Sequence, residues 1–125
     1  MTKRILIVDD EEDIRDVVRV SLEEFGGWLT FAAPSGIEGL QIAKAQALDA
    51  ILLDISMPDL DGFQIHAKLQ ADSKTQNIPV ILLTAKVLSR DRQRFTALDV
   101  AGIITKPFDP MTVWQQVAEI LGWER

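Results

Sequence analysis

Ile51-Leu52-Leu53-Asp54 is the stretch that decides the fold. Three large aliphatic residues run into an aspartate, and Ser56-Met57-Pro58 then breaks any regular structure. A short, uninterrupted apolar run bounded by turn residues marks a strand buried on both faces. Its last residue is then a carboxylate held at the rim of a sheet, where solvent or a ligand reaches it. Taken singly, an acid at a strand end is more often a turn or cap residue.

The same signature recurs on either side. Arg4 to Asp9 is a first strand and ends in five consecutive acids, Asp9-Asp10-Glu11-Glu12-Asp13. The later acids open a helix whose stripe is Ile14, Val17, Val18, Leu22 and Phe25, at the three- and four-residue spacing of one face. Acids in a first turn suit the positive end of the helix dipole, so Glu11, Glu12 and Asp13 need no further role. Gly26-Gly27 ends that helix. Trp28 to Ala33 is a second strand, stopped by Pro34. Ser35 and Glu38 form a capping-box pattern for a helix carried by Ile37, Leu40, Ala43 and Ala47. Asp49 to Asp54 is the third strand. Phe63 to Ala71 is a helix with Ile65, His66 and Leu69 near one face, and His66 is expected to be a surface or semi-buried residue of that helix rather than a second phosphorylation site. Val80 to Thr84 is the fourth strand, and a polar helix is expected from about Val87 to Leu98. Ala101 to Thr105 is the fifth strand, closed by Lys106-Pro107-Phe108. A last helix from about Pro110 to Leu121 carries Val113, Val117, Ile120 and Leu121.

Five strand signals alternating with five helix signals predict an α/β domain, a parallel sheet with helices on both faces and right-handed crossovers. The 125 residues fit one domain, 1–125. With no Cys and one His, thiol chemistry and His or Cys metal clusters are excluded. A net charge of −6 argues against direct nucleic-acid binding. The apolar run after Met1-Thr2-Lys3-Arg4 is too short for a signal peptide, and none approaches membrane-spanning length. A cytoplasmic protein without membrane contact is expected.

Crossovers of one hand bring every strand's C-terminal end to one edge, where ligands bind in such sheets. That edge would hold Asp9 and Asp10 from strand one, Asp54 from strand three, Thr84 from strand four and Lys106 from strand five. Two unit charges ~5 Å apart repel by roughly 3 kcal/mol at an effective dielectric of ~20. Three such pairs weigh heavily on a domain stable by about 5–15 kcal/mol. Either some acids protonate or a cation sits among them. An oxygen-only site selects a hard divalent ion, Mg²⁺ above all. Mg²⁺, a lysine and a hydroxyl together suit the oxygens of a transferring phosphoryl group.

As a set, Asp9-Asp10, Asp54, Met57-Pro58 with Asp61-Gly62, Thr84-Ala85 and Lys106-Pro107-Phe108 strongly resemble the receiver domains of two-component response regulators over the whole chain. The resemblance implies the flavodoxin-like (βα)5 three-layer sandwich with strand order 2-1-3-4-5. It implies that Asp54 accepts a phosphoryl group from a sensor histidine kinase or a histidine phosphotransfer protein. Asp10 would bind Mg²⁺ directly, Asp9 through water, and the Ser56 backbone carbonyl would complete the protein ligands. Lys106 and the Thr84 hydroxyl would each hold a phosphoryl oxygen, and the small Ala85 would leave room for the group. The Lys106–Pro107 bond would be cis. Such a domain is a signalling phosphoacceptor and not an enzyme in the ordinary sense, assisting only its own phosphorylation and dephosphorylation.

Two departures and one surface stand out. Ile103 occupies the position where many receivers carry an inward-turning aromatic ring, so an aromatic switch cannot operate. Ser56 and Lys86 lie where the family tunes phosphoryl lifetime. Activation is expected to change the face made by the fourth helix, the fifth strand and the last helix, where an unidentified downstream protein or a second copy of the chain would dock. Trp114 lies off the core stripe of the last helix and is a candidate contact there; a ring lying over its own helix is the alternative. Among rival activities, a haloacid-dehalogenase-type phosphatase would want Asp-x-Asp where this chain has Ser56, and a flavin domain would want a glycine- and hydroxyl-rich loop where it has Asp9-Asp10. A receiver-like interaction module that never switches is a further alternative.

Overall fold

The computed structural model describes residues 2–55, 57, 59–85 and 99–123. Its elements run β1 (Arg4–Val8), α1 (Glu12–Val20) continuing into a wider π turn (Ser21–Phe25), β2 (Leu29–Ala33), α2 (Gly36–Ala45), β3 (Ala50–Asp54), α3 (Gly62–Ala71), β4 (Val80–Thr84), β5 (Gly102–Thr105) and a last helix (Val113–Leu121). All five strands pair in parallel in the order β2-β1-β3-β4-β5. This is the flavodoxin-like α/β sandwich expected from the sequence. The helix expected over 87–98 lies outside the described residues.

Alternation along the strands divides the core into two layers. Leu6, Val8, Ile51, Leu53 and Leu82 face α2 and α3 and pack with Ala43, Ile65 and Leu69. Ile5, Ile7, Ala50, Leu52, Ile81 and Ile104 face α1 and the last helix and pack with Val18, Leu22, Val113 and Val117. β3 and β4 are buried along their whole length, as a central parallel strand must be.

Several helix faces differ from the hydrophobic pattern. α2 buries Gly36, Gly39 and Ala43, whereas Ile37 is 54% exposed. The cause is close approach: a Cβ on Gly39 would lie 2.8 Å from a Val8 methyl. Small residues let this helix lie on the sheet, so its large residues fall on the rim of the contact. Ala47 lies beyond the helix end. After α1 the π turn keeps Leu22 in the core but carries Phe25 out of the stripe, which leaves that ring 45% exposed. The last helix starts at Val113, three residues later than its Pro110 suggested.

Candidate functional site

The rim residues follow from the same alternation that sorts the core. Asp9 continues the row of Ile5 and Ile7, Asp54 that of Ala50 and Leu52, and Lys106 that of Ile104. All three rows face α1 and the last helix. Since Val8 pairs with Leu53, Asp9 and Asp54 leave neighbouring strands side by side.

The carboxylates of Asp9, Asp10 and Asp54 each offer an oxygen within 4.8 Å of the others. Asp9 has no exposed surface and Asp54 only 4%, whereas Asp10 is open to solvent. Lys106 Nζ donates to Asp9 Oδ2 at 2.9 Å, lies 3.5 Å from Asp54 Oδ1 and stands 4.0 Å from Glu11 Oε1. Burial alone would push the Lys106 amine down. The hydrogen bond to Asp9 and the charges of Asp54, Asp9 and Glu11 outweigh burial and hold it above its ordinary value. Asp9 is fixed further by the Glu11 N–H, which donates to its Oδ1 at 2.9 Å. Arg15 reaches only the Asp9 backbone carbonyl, at 2.8 Å.

Thr84 ends β4 and is buried, with Ala85 exposed just beyond it. The Lys106 N–H donates to the Thr84 carbonyl at 2.7 Å, so the two strand ends adjoin. Alternation gives Thr84 the row of Val80 and Leu82, on the α2–α3 side. The Lys106–Pro107 peptide is cis. Ile103 is half-buried against the α2–α3 layer. Ser56 and Lys86 lie outside the described residues.

Trp114 lies against its own chain, the second of the two arrangements expected for it. It is half-buried against the α1-side core, and its Nε1 donates to the Met111 carbonyl at 3.0 Å, one turn back along its own chain. Any contact role would use only its remaining exposed edge. Trp123 packs edge-on against Trp28, ring centres 5.2 Å apart, with Lys3 Nζ 4.9 Å from its own ring centre. His66 is buried, with Nε2 3.1 Å from the Asp99 carbonyl.

The acids fit a hard divalent ion. Octahedral Mg²⁺ holds oxygens at about 2.0–2.1 Å, which sets neighbouring ligands about 3 Å apart and opposite ones about 4 Å apart. The three carboxylate oxygens, within 4.8 Å of one another, are grouped on the scale of that coordination shell.

One residue of this region carries no signal for its role in the sequence. Asp59, in the loop after β3, accepts from the Gly36 N–H and the Ile37 N–H, both at 3.1 Å, and so caps α2 from 22 and 23 residues away. Ser35 Oγ supplies the local part of that cap, accepting from the Glu38 N–H at 3.2 Å. The full reciprocal capping box lies at α3, between Asp61 and Gln64. That pattern was readable in Asp61-x-x-Gln64.

A family model, the response regulator receiver domain, matches residues 5–118. The polar-differentiation response regulator DivK of Brucella ovis is 32% identical over 98% of this chain and 98% of its own length. Among solved structures, the chemotaxis response regulator CheY4 of Vibrio cholerae superposes with a TM-score of 0.88 at 28% identity, covering 96% of this chain and 99% of that one. The receiver domain of the sensor histidine kinase PA1611 of Pseudomonas aeruginosa, solved with a magnesium ion in its active-site cleft, superposes with a TM-score of 0.85 at 27% identity, covering 98% and 99%. Other curated relatives are longer transcriptional regulators, of which the chain spans about half. These comparisons lend no support to the phosphatase alternative. No helix among the described residues is long and apolar enough to cross a membrane.

Proposed function

The chain belongs to the response regulator receiver family, and from that premise we propose that Asp54 is the phosphoryl acceptor of this two-component signalling domain. The observation that carries the assignment is the gathering of Asp9, Asp10 and Asp54 within 4.8 Å, with Lys106 Nζ 3.5 Å from Asp54. A carboxylate oxygen of Asp54 attacks the phosphorus of a phosphohistidine on a sensor histidine kinase or a histidine phosphotransfer protein. The P–O bond forms as the P–N bond breaks, and the electron pair leaves with the imidazole nitrogen. Lys106 is held in its charged form and faces the oxygen that reacts, so it stabilises the negative charge spread over the phosphoryl oxygens. The Thr84 hydroxyl is the second holder of that group, and the small Ala85 leaves it room.

Asp10, Asp54 and the Ser56 carbonyl would hold Mg²⁺ directly. Asp9 would act through water, because both its oxygens already accept hydrogen bonds from the protein. Bound there, the ion supplies charge neutralisation for the acids and the incoming phosphoryl group. The acyl phosphate then draws Thr84 and Lys106 toward itself and biases β5 and its neighbours between two packings. The face around β5 and the last helix, including the exposed edge of Trp114, is where a downstream protein or a second copy would read that change.

The test is incubation with acetyl phosphate and Mg²⁺ followed by intact mass. One phosphoryl addition is expected in the native chain, lost on chelation and absent in Asp54→Ala. Equal addition in Asp54→Ala would overturn the assignment.

A further inference from the structure

α2 rests on the sheet through its small residues. Gly36, Gly39 and Ala43 are its buried positions. The stripe beside them, Ile37, Leu40, Gln41 and Lys44, follows the three- and four-residue spacing of a helical face. Across from that stripe stand Leu60, from the loop after β3, and Lys68 of α3. Together these six residues line an open groove of about 410 Å³ between the two helices. Its surface is mainly apolar, and Ile37 keeps over half of its area exposed in it.

The charges of the groove are of one sign. Lys44 and Lys68 line it, and no carboxylate does among the described residues, although the chain carries a net charge of −6. Lys44 Nζ stands 3.9 Å from Asp72, beyond hydrogen-bond distance, and its side chain is more than half exposed. Lys68 is exposed as well. Asp59 and Asp61, on the same loop as Leu60, are taken up by the first turns of α2 and α3. Each lysine lies in the last turn of its helix and suits the negative end of the dipole there. The dipole does not account for Ile37, Leu40 and Leu60 sharing the groove with them. A single exposed apolar side chain is ordinary. An apolar strip between two helices is the shape that takes a third helix, read by residues at i, i+3, i+4 and i+7.

We propose that the α2–α3 groove docks an acidic amphipathic helix of a protein partner. The apolar stripe of that helix covers Ile37, Leu40 and Leu60, and carboxylates beside the stripe meet Lys44 and Lys68. The groove includes none of Asp9, Asp10, Asp54, Thr84 and Lys106, and it lies on the opposite side of the sheet from the last helix. This contact is therefore independent of the phosphoryl chemistry and of the face around the last helix.

The experiment titrates the full chain, labelled for amide NMR, with a synthetic helical peptide of about 18 residues. The peptide is built from Ala, Leu and Glu, with Leu along one stripe and Glu beside it. Saturable shifts are expected below about 1 mM peptide, centred on Ile37, Leu40, Gln41, Leu60 and Lys68. Ile37→Gln should weaken binding about tenfold through the apolar area no longer covered. Lys44→Glu with Lys68→Glu should weaken it about tenfold through two reversed rim contacts. All three positions are exposed, so the melting temperature should hold in each variant. No saturation with the peptide would overturn the proposal. So would shifts centred instead on Val20, Phe25 and Met111, at the apolar groove on the α1 side, or equal binding in the groove by the counterpart peptide with Lys for Glu. Shifts at the same residues on concentrating the chain alone would give the groove to a second copy, and shifts with decanoate but not with the peptide would give it to a small anionic amphiphile; either result overturns the proposal.

Discussion

The two edges of the sheet treat polar groups in opposite ways. At the edge where the strands begin, charges and donors find partners close by. Arg4 Nε donates to the Ala47 carbonyl at 2.7 Å, its guanidinium reaches Gln46, and its backbone N–H meets Asp49 at 2.8 Å. The buried Thr75 hydroxyl donates to the Leu69 carbonyl at 2.7 Å and closes off α3. At the edge where the strands end, Asp9, Asp10 and Asp54 crowd together, and Lys106 is the cation that pairs with them among the described ion pairs. One edge is arranged for stability. The other keeps excess negative charge in place, an arrangement that a domain can hold only against the rest of its folding free energy, and that a cation can use.

That contrast is open to measurement. The largest effect belongs to Lys106. Lys106→Met removes the cation held against the buried Asp9 and Asp54 carboxylates and should lower unfolding free energy by about 3 kcal/mol in Mg²⁺-free buffer, the low end of the range for removing one partner of a buried pair. Denaturant unfolding measures it, and added Mg²⁺ should restore part of the loss. Asp54→Asn should do the reverse. Two acids near ~5 Å each repel Asp54 by about 3 kcal/mol at an effective dielectric of ~20, against about 5 kcal/mol of attraction to Lys106. The net, with the lifted burial of charge, is a gain of about 1–2 kcal/mol for the variant without Mg²⁺. A loss of stability would break the comparison.

Thr75→Val belongs to the opposite edge and should cost about 1 kcal/mol, the worth of one buried hydrogen bond. Phosphoryl uptake should be unchanged in it. The smallest effect is in alkali. Lys106 is held above its ordinary value of 10.5, so its stabilisation is complete below that value and lost as pH rises through the higher folded one. A pH series of melting temperatures should show this alkaline loss in the native chain and a weaker one in Asp54→Asn.

The strands and the rim were legible because both follow from a period of two. Once Ile5 and Ile7 face one layer, Asp9 must follow them, and Leu52 carries Asp54 the same way. Helix faces were less legible, since a pattern of large apolar residues does not register a helix that packs through glycine, as α2 does at Gly36 and Gly39. The π turn at Ser21–Phe25 is one extra residue per turn with no marker in sequence, and it displaced Phe25 from the core. Asp59 looked like one more loop acid because its partners lie 22 and 23 residues away. Trp123 gave no sign of meeting Trp28, a contact between residues far apart in sequence that only the packed fold creates.

The most direct test is to trap the phosphorylated residue itself. Phosphorylation with acetyl phosphate and Mg²⁺, followed by borohydride reduction and peptide mapping, converts an aspartyl phosphate to homoserine at its own position. Homoserine at position 54, absent when Mg²⁺ is chelated, is the predicted result. Homoserine at another aspartate, or at position 54 to the same extent without a divalent ion, would contradict it.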